Sequence, residues 1–304
     1  MNSAGSKPTV VGLGEVLWDC FADSRRPGGA PANVAFQANQ LGCRGVVCSR
    51  VGTDPLGDEL VHYLAGQDLS TAFVQRDPKH PTGMVTVDTT AAGDPQYVIH
   101  EGVAWDHLEW NETLEGLMRQ ATAVCFGTLA QRSEGSRRAI RRALETTAAD
   151  ALRVYDVNLR QQFYTRSWIE PSLAVARLVK LNREEVAVLA ELLELPGGDP
   201  VGFCHAVQER FAVDAVCVTR AAEGCLLVDG TAVVDVEGVD VQVVDAVGAG
   251  DAFTAAWIFA RLSGWPPEQQ ADFANRVGAL VTTRPGAMPR LTDELAALAA
   301  EFAP

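Results

Sequence analysis

Lysine is nearly missing from this chain. Only Lys7, Lys79 and Lys180 stand among its 25 basic residues, and none lies in a glycine-rich turn, which excludes a lysine-centred phosphate loop of the P-loop kind. The seven cysteines (Cys20, Cys43, Cys48, Cys125, Cys204, Cys217 and Cys225) are scattered, odd in number and without a C-x-x-C pair. That pattern argues against a zinc site and against a disulfide framework, and the cysteines read as small buried hydrophobes in a reducing compartment. No run of 18 apolar residues occurs, and Met1 to Pro8 has neither the charge nor the apolar stretch of a secretory signal. The chain therefore reads as cytoplasmic, with no membrane partner. A basic surplus is also lacking: the formal net charge of −14 argues against nucleic acid, which demands a clustered basic surface to replace counterions. An anionic cofactor stays compatible, because backbone amides, one arginine and a metal can bind a phosphate whatever the total charge. Internal repeats and low-complexity segments are absent too.

The 304 residues are enough to bury about three quarters of the surface of the unfolded chain, so a full α/β core is expected in one large domain spanning residues 1–304. Short β-rich apolar runs alternate with helical patterns from Thr9 to Leu64: strands at Thr9 to Leu13 and Gly45 to Val51, helices at Ala32 to Leu41 and Leu56 to Leu64. Further strands are expected at Ala123 to Gly127, Arg153 to Val157, Leu178 to Asn182 and Ala215 to Thr219, with helices at Ser136 to Thr147 and Glu184 to Leu193. Such alternation predicts βαβ units and an open, doubly wound, mostly parallel sheet. Between Ser70 and Trp105 the pattern changes to short alternating pieces, Phe73 to Arg76, Met84 to Val87 and Gln96 to His100, broken by Pro78, Pro81, Gly93 and Pro95. This reads as an antiparallel patch, either a lid over a pocket or a hairpin on the sheet edge. From Gly250 onward the pattern is helical.

Two constellations carry chemistry. In Val241 to Phe253, VQVVDAVGAGDAF, a strand-like run meets a Gly-Ala-Gly turn and a helix that begins near Asp251. Small residues at a helix start let unpaired N–H groups face an anion, which the helix dipole favours. Asp251 is then either a helix N-cap or a base that takes a hydroxyl proton beside the anion hole. The second constellation, Gly14 to Asn33, brings Asp19, Gly28, Gly29 and Asn33 close together in sequence. Asp and Asn supply the acceptors and donors that vicinal hydroxyls demand; the blander reading is a turn into a helix that Asn33 starts. Gly12-Leu13-Gly14 and Gly248-Ala249-Gly250 both begin like a dinucleotide fingerprint, but Leu17 and Phe253 stand where its third glycine belongs.

GGAPANVAFQANQLG followed by VGTDPLGD, with DAVGAGDAF downstream, resembles the two signatures of the ribokinase-like (PfkB) carbohydrate kinases from about Val10 to Pro289, and GEVLWD joined to GGAPANVA is most similar to fructokinases. The resemblance implies a Rossmann-like αβα three-layer domain with a small β-sheet lid formed near residues 15–27 and 70–105. It implies Asp251 as general base, Gly248, Ala249 and Gly250 as anion hole, and Asp19, Gly28, Gly29 and Asn33 around the sugar. In DVNLR it points to Asp156, Asn158 and, against phosphate charge, Arg160. Asn182 and Glu185 match an N-x-x-E motif that in the family organises Mg²⁺ and its waters near ATP, Glu185 acting through water. Thr219, Gly224 and Asn275 would line the nucleotide site. The backbone of Asp245 and Val247, with the Arg284 to Met288 turn, resembles a monovalent-cation (K⁺) loop pair. Three departures stand out: Ala246 where threonine is usual, Ala221 where glycine is common beside Arg220, and His100 where many fructokinases carry arginine.

The reaction implied is phosphoryl transfer from MgATP to a primary hydroxyl of a sugar, D-fructose to fructose 6-phosphate first. The other acceptors are 2-keto-3-deoxygluconate, ribose, a nucleoside or an inositol, and the other class is a catalytically silent sugar-binding regulator. Exposed lid strands often find partners, so a homodimer is expected. His62, His80, His107 and His205 have no ligand-like spacing and read as surface or capping residues.

Overall fold

A computed structural model describes residues 7–88 and 96–302. The expected breaks at Gly93 and Pro95, and most of the N-terminal segment, lie outside these residues. The strands are β1 (Thr9–Leu13), β2 (Leu17–Cys20), β3 (Arg25–Gly28), β4 (Arg44–Gly52), β5 (Val74–Asp77), β6 (Gly83–Asp88), β7 (Gln96–Ile99), β8 (Ala123–Gly127), β9 (Leu152–Asp156), β10 (Leu178–Asn182), β11 (Ala215–Thr219), β12 (Cys225–Asp229) and β13 (Ala232–Val236). The helices are α1 (Ala30–Gln40), α2 (Pro55–Gly66), α3 (Glu112–Gln120), α4 (Glu134–Thr146), α5 (Arg166–Val175), α6 (Arg183–Leu193), α7 (Pro200–Phe211), α8 (Ala249–Leu262), α9 (Pro267–Thr282) and α10 (Thr292–Ala300).

Nine strands form one sheet in the order β13-β12-β11-β10-β9-β8-β1-β4-β5. All neighbours run parallel except β11–β12 and β12–β13. The parallel strands are short, nearly unbroken apolar runs because helices cover both of their faces. Alternate residues divide between two cores. Val10, Cys125 and Val154 pack with α1, α8, α9 and α10, whereas Val11, Val124 and Tyr155 pack with α3 to α7. The result is three layers, helix, sheet, helix. The C-terminal ends of β1, β8, β9 and β10 open on one edge, where ligands of such sheets bind. No described helix is long and apolar enough to cross a membrane, and all seven cysteines are free, six of them buried.

A second sheet, β3-β2-β6-β7, forms the small lid. Two details differ from the sequence reading. Its central pair, β2 and β6, is parallel, so the patch is not purely antiparallel. The segment at Phe73 to Arg76 does not join it: β5 pairs in parallel with β4 at the edge of the large sheet. Short alternating strands carry no mark of which sheet they extend. The strand expected at Val241 to Val244 is also absent, since the amides of Val244 and Asp245 bond to the carbonyl of Thr282 rather than to a strand, leaving Val243 and Val244 exposed. Asn33 does not start its helix. α1 begins at Ala30 behind Gly29, with Pro31 preset for the first turn.

Candidate active site

The Gly-Ala-Gly turn is a helix start without a side-chain cap. Gly248 precedes α8 in the left-handed conformation, φ 80°, and a Cβ there would stand 2.6 Å from the Cβ of Ala287. Among the described residues the N–H groups of Gly248, Gly250 and Asp251 meet no protein acceptor. They add to the positive end of the helix dipole, which is the chemistry of an anion site. The Asp245 carboxylate braces the turn from behind, accepting from the amides of Val247 and Gly286 at 3.0 Å each, and from Arg26 of the lid at 2.8 Å. Thus the loop pair read as a cation site, and one lid strand, converge on a single side chain.

Asp251 is the third residue of α8, so it is not the N-cap that the blander reading required. Its Oδ2 accepts from Asn33 Nδ2 at 2.7 Å, which ties α1 to α8. Burial, then the charge of Asp156, push this carboxyl up to about 6; the Asn33 hydrogen bond, Lys180 and Arg160 act the other way. Asp156, at the end of β9, accepts from Lys180 Nζ at 3.1 Å and from Thr254 Oγ1 at 3.0 Å. Lys180 joins this cluster through Asp156, although it lies outside any glycine turn. Its signal was there to read, a lone lysine inside the apolar strand LVKLN.

On the acceptor side, Asp19 stands on β2 against Gly28, where a Cβ would fall 2.5 Å from Asp19 Oδ2. Gly29, at φ 113°, lets α1 approach the Glu15 carbonyl, 2.5 Å from where its Cβ would be. Burial raises Asp19 to about 6, opposed by Arg160 and Arg26. Glu15, unnoticed in the sequence although it sits inside GEVLWD, is 4% exposed and raised by burial to about 7. Its Oε2 and the Oδ1 of Asn33 are buried without a hydrogen-bond partner. Arg160 is exposed on the loop after β9, where Asn158 and Gln161 both take positive φ, and it draws down Glu15, Asp19 and Asp251 alike. Aspartate, glutamate, asparagine and arginine here lie within electrostatic or hydrogen-bonding reach of one another beside the glycine turn, a set suited to hydroxyl groups and an incoming phosphate.

The motifs expected at the nucleotide are farther along the same edge. Asn182 and Glu185 close a capping box at the start of α6; Glu185 Oε2 accepts from the Asn182 amide at 2.8 Å and Oε1 from the Leu159 amide at 2.7 Å. The box also anchors the DVNLR loop. Each Glu185 oxygen keeps one lone pair, which fits a metal held through water better than direct ligation. Thr219 ends β11, and Gly224, φ 92°, passes so close to the Val236 carbonyl that a Cβ there would stand 2.0 Å from its oxygen. Ala221 adopts φ 50°, the conformation in which glycine is at ease. Arg220 turns away to bind Asp235 and the carbonyls of Cys225 and Val236. Asn275, 8% exposed, donates to the Glu237 carbonyl at 2.9 Å and so fixes the chain after β13. His100 binds Thr86 in the lid, and His80 stacks on His107 with its Nδ1 3.0 Å from Asp77.

Residues 8–294 match the sequence profile of the pfkB family carbohydrate kinases. The chain belongs to that family. An uncharacterized sugar kinase of Pyrococcus horikoshii is similar at 31% identity over 307 residues, with 94% of each chain covered. Its ATP complex superposes with a TM-score of 0.80 at 29% identity, covering 97% of this chain and 99% of that one. The fructokinase of Salmonella typhimurium is 29% identical over 297 residues, covering 92% of this chain and 94% of that protein. The fold is shared with an ATP-bound fructokinase from Xylella fastidiosa, TM-score 0.84 at 24% identity, 97% of this chain and 99% of that one covered. The kinase therefore carries its glycine turn, its DVNLR loop and its lid on a scaffold that binds ATP in a relative.

Proposed function

We propose that this PfkB sugar kinase transfers the γ-phosphoryl group of ATP to a primary hydroxyl of a sugar, with D-fructose as the acceptor. The observation that carries the reading is Asp251: a carboxylate held by Asn33 beside three unpartnered amides, where a hydroxyl and a phosphoryl group have to meet. Asp251 accepts the proton of the sugar hydroxyl as that oxygen bonds to phosphorus and the bond from phosphorus to the ADP oxygen breaks. The amides of Gly248 and Gly250 receive charge on the transferring group, and exposed Arg160 offers a second set of donors. Asp19, Glu15 and Asn33 orient the sugar, with Gly28 and Gly29 admitting it close to the backbone. Mg²⁺, when bound with ATP, neutralises phosphate charge, and Glu185 and Asn182 are the residues to hold its waters. Thr219, Gly224 and Asn275 shape the nucleotide end. The carbonyls of Asp245 and Val247, which meet no N–H among the described residues, suit a monovalent cation behind the turn.

Fructose is favoured over other acceptors by the similarity to the Salmonella fructokinase, which covers 92% of this chain. A coupled ADP-release assay over sugars, sugar acids, nucleosides and inositols at one MgATP concentration tests it. Fructose should give the highest kcat/KM. A preference for ribose, a nucleoside or a keto acid removes the fructose assignment and leaves the kinase; no stimulation by any acceptor removes both.

A further inference from the structure

One ammonium group lies buried beneath the glycine turn. Lys180 stands in the middle of β10, with a side chain 8% exposed, and its Nζ reaches the two Asp156 oxygens at 3.1 and 3.3 Å. Asp156 Oδ2 also receives Thr254 Oγ1 at 3.0 Å, and that hydroxyl lies 2.9 Å from the Gly250 carbonyl one turn back in α8. A Cβ at Gly250 would come within 3.0 Å of Nζ. Strands β9 and β10 and the first turn of α8 are therefore joined around one cation, and the last residue of the anion turn, Gly250, lies directly against it.

Burying an ammonium is costly unless it is paired, and Asp156 alone satisfies the pairing. Three further carboxylates, Glu15, Glu185 and Asp251, are within electrostatic reach of the same small region. The groups that bear on Asp251 come from every element around it: Glu15 after β1, Asn33 on α1, Asp156 on β9, Arg160 in the loop beyond β9, and Lys180 on β10. Arg160 is solvent-exposed, so its charge is screened. Lys180 is not screened, and without it the site holds a cluster of negative charge facing an anionic cosubstrate.

We propose that Lys180 is a positioning residue of this kinase: braced by Asp156, its ammonium seats the Gly248 to Gly250 turn from below and holds Asp251 in its ionised form. The proposal rests on Asp251 being the base. It is tested by the pH dependence of kcat/KM in four proteins: wild type, Lys180→Met, Lys180→Met with Asp156→Asn, and Asp251→Asn, each checked for folding by circular dichroism. In Lys180→Met the acid limb should move up by about one pH unit and kcat at pH 7 should fall about tenfold, with the sugar KM little changed. In the double variant one group that lowers Asp251 and one that raises it are lost together, so the limb should return close to wild type while kcat stays reduced. A limb unmoved in folded Lys180→Met overturns the proposal, as does a rise in ATP KM alone, which would make Lys180 a nucleotide ligand. Should the single variant not fold, the double variant, in which Asp156 no longer carries a buried charge without its partner, decides, and a wild-type kcat there overturns the proposal. An active Asp251→Asn protein removes the base reading instead.

Discussion

Two glycine turns feed two neighbouring helices, and they use glycine for opposite purposes. Gly28-Gly29 leads into α1 and Gly248-Ala249-Gly250 into α8; each helix starts behind a positive-φ glycine with no side-chain cap, and the two helices pack together. At the first turn the space a side chain would take is filled by the protein itself, Asp19 Oδ2 at Gly28 and the Glu15 carbonyl at Gly29. The turn exists to bring carboxylates and Asn33 close to one another. At the second turn the amides of Gly248 and Gly250 are left bare, and what crowds the glycines is Ala287 and a lysine from below. One turn presents side chains and the other presents backbone, a division that matches a polyhydroxylated acceptor on one side and a phosphoryl group on the other. Asn33 to Asp251 is the bond where the two meet.

The largest effect should come from cutting that meeting point. Asp251→Asn keeps the size of the side chain and can still bond Asn33 through its oxygen, but it cannot take a proton. General-base catalysis is worth roughly 10² to 10⁴-fold, so kcat should drop by that range with ATP and sugar still bound. Retention of more than about a tenth of kcat in single-turnover measurements would place the base elsewhere.

Substituting the glycines separates the two turns by what fails. In Gly29→Ala the new methyl meets a backbone carbonyl at 2.5 Å in a conformation alanine resists, and unfolding free energy should fall by about 2 to 5 kcal/mol. In Gly250→Ala the methyl enters a helical position and displaces an ammonium 3.0 Å away. There the gain in helix propensity, about 1 kcal/mol, offsets the crowding, so stability should hold while kcat falls by about tenfold or more. Urea titration and steady-state rates check both; equal loss of stability in the two variants would erase the distinction.

Much of this site could be read from residue order because its chemistry is local in the chain. Asp251 follows its own anion turn, Asn33 follows its own glycine pair, and the strands at residues 123–127, 178–182 and 215–219 fall where their apolar runs do. What escaped was assembled from distant segments. Lys180 and Asp156 are 24 residues apart and Asp156 and Thr254 98 apart, so no spacing rule links them. The same holds for Arg26 reaching Asp245 across 219 positions. The misplaced β5 has a related cause, because strand pairing is decided by neighbours that a short segment does not encode. The place of Asp251 in its helix was hidden for the same reason: α8 begins at Ala249, which makes Asp251 its third residue rather than its cap.

The acceptor-side turn should also leave its mark on pH dependence. Glu15, Asp19 and Asp251 are all raised in the folded protein, so folding takes up protons as these groups hold them longer than in the unfolded chain. A raised carboxylate favours the folded state at low pH, and that advantage disappears as pH climbs from the ordinary range, near 4, through about 6 to 7. His107 is lowered by burial first and by His80, and it opposes the trend. The unliganded kinase should therefore lose stability between about pH 4 and 7, while activity rises through the titration of Asp251 near 6. Glu15→Gln isolates the largest contributor: it should flatten the stability profile by about 3 kcal/mol across that window. A wild-type slope in the variant would mean that Glu15 is not protonated in the folded protein.

The smallest effect concerns a third turn, where the chain needs a left-handed residue and does not use glycine. Ala221 sits at φ 50° just after β11, exposed, in the short turn Ala221–Glu223 that Gly224 closes. Ala221 is exposed, unlike the crowded Gly28, so glycine here has only a conformational role to play. Ala221→Gly relieves a left-handed alanine, which costs roughly 1 to 2 kcal/mol, and gives back about 0.5 to 1 kcal/mol through the freer unfolded chain. The net expectation is a gain of up to about 1 kcal/mol in unfolding free energy, with kcat unchanged. Gly224→Ala should do the reverse, because a Cβ there would press within 2.0 Å of the Val236 carbonyl at φ 92°. Measured side by side in urea, the pair separates glycine as a relief of strain from glycine as room for backbone, and a destabilised Ala221→Gly would show that the alanine methyl is itself held by a contact.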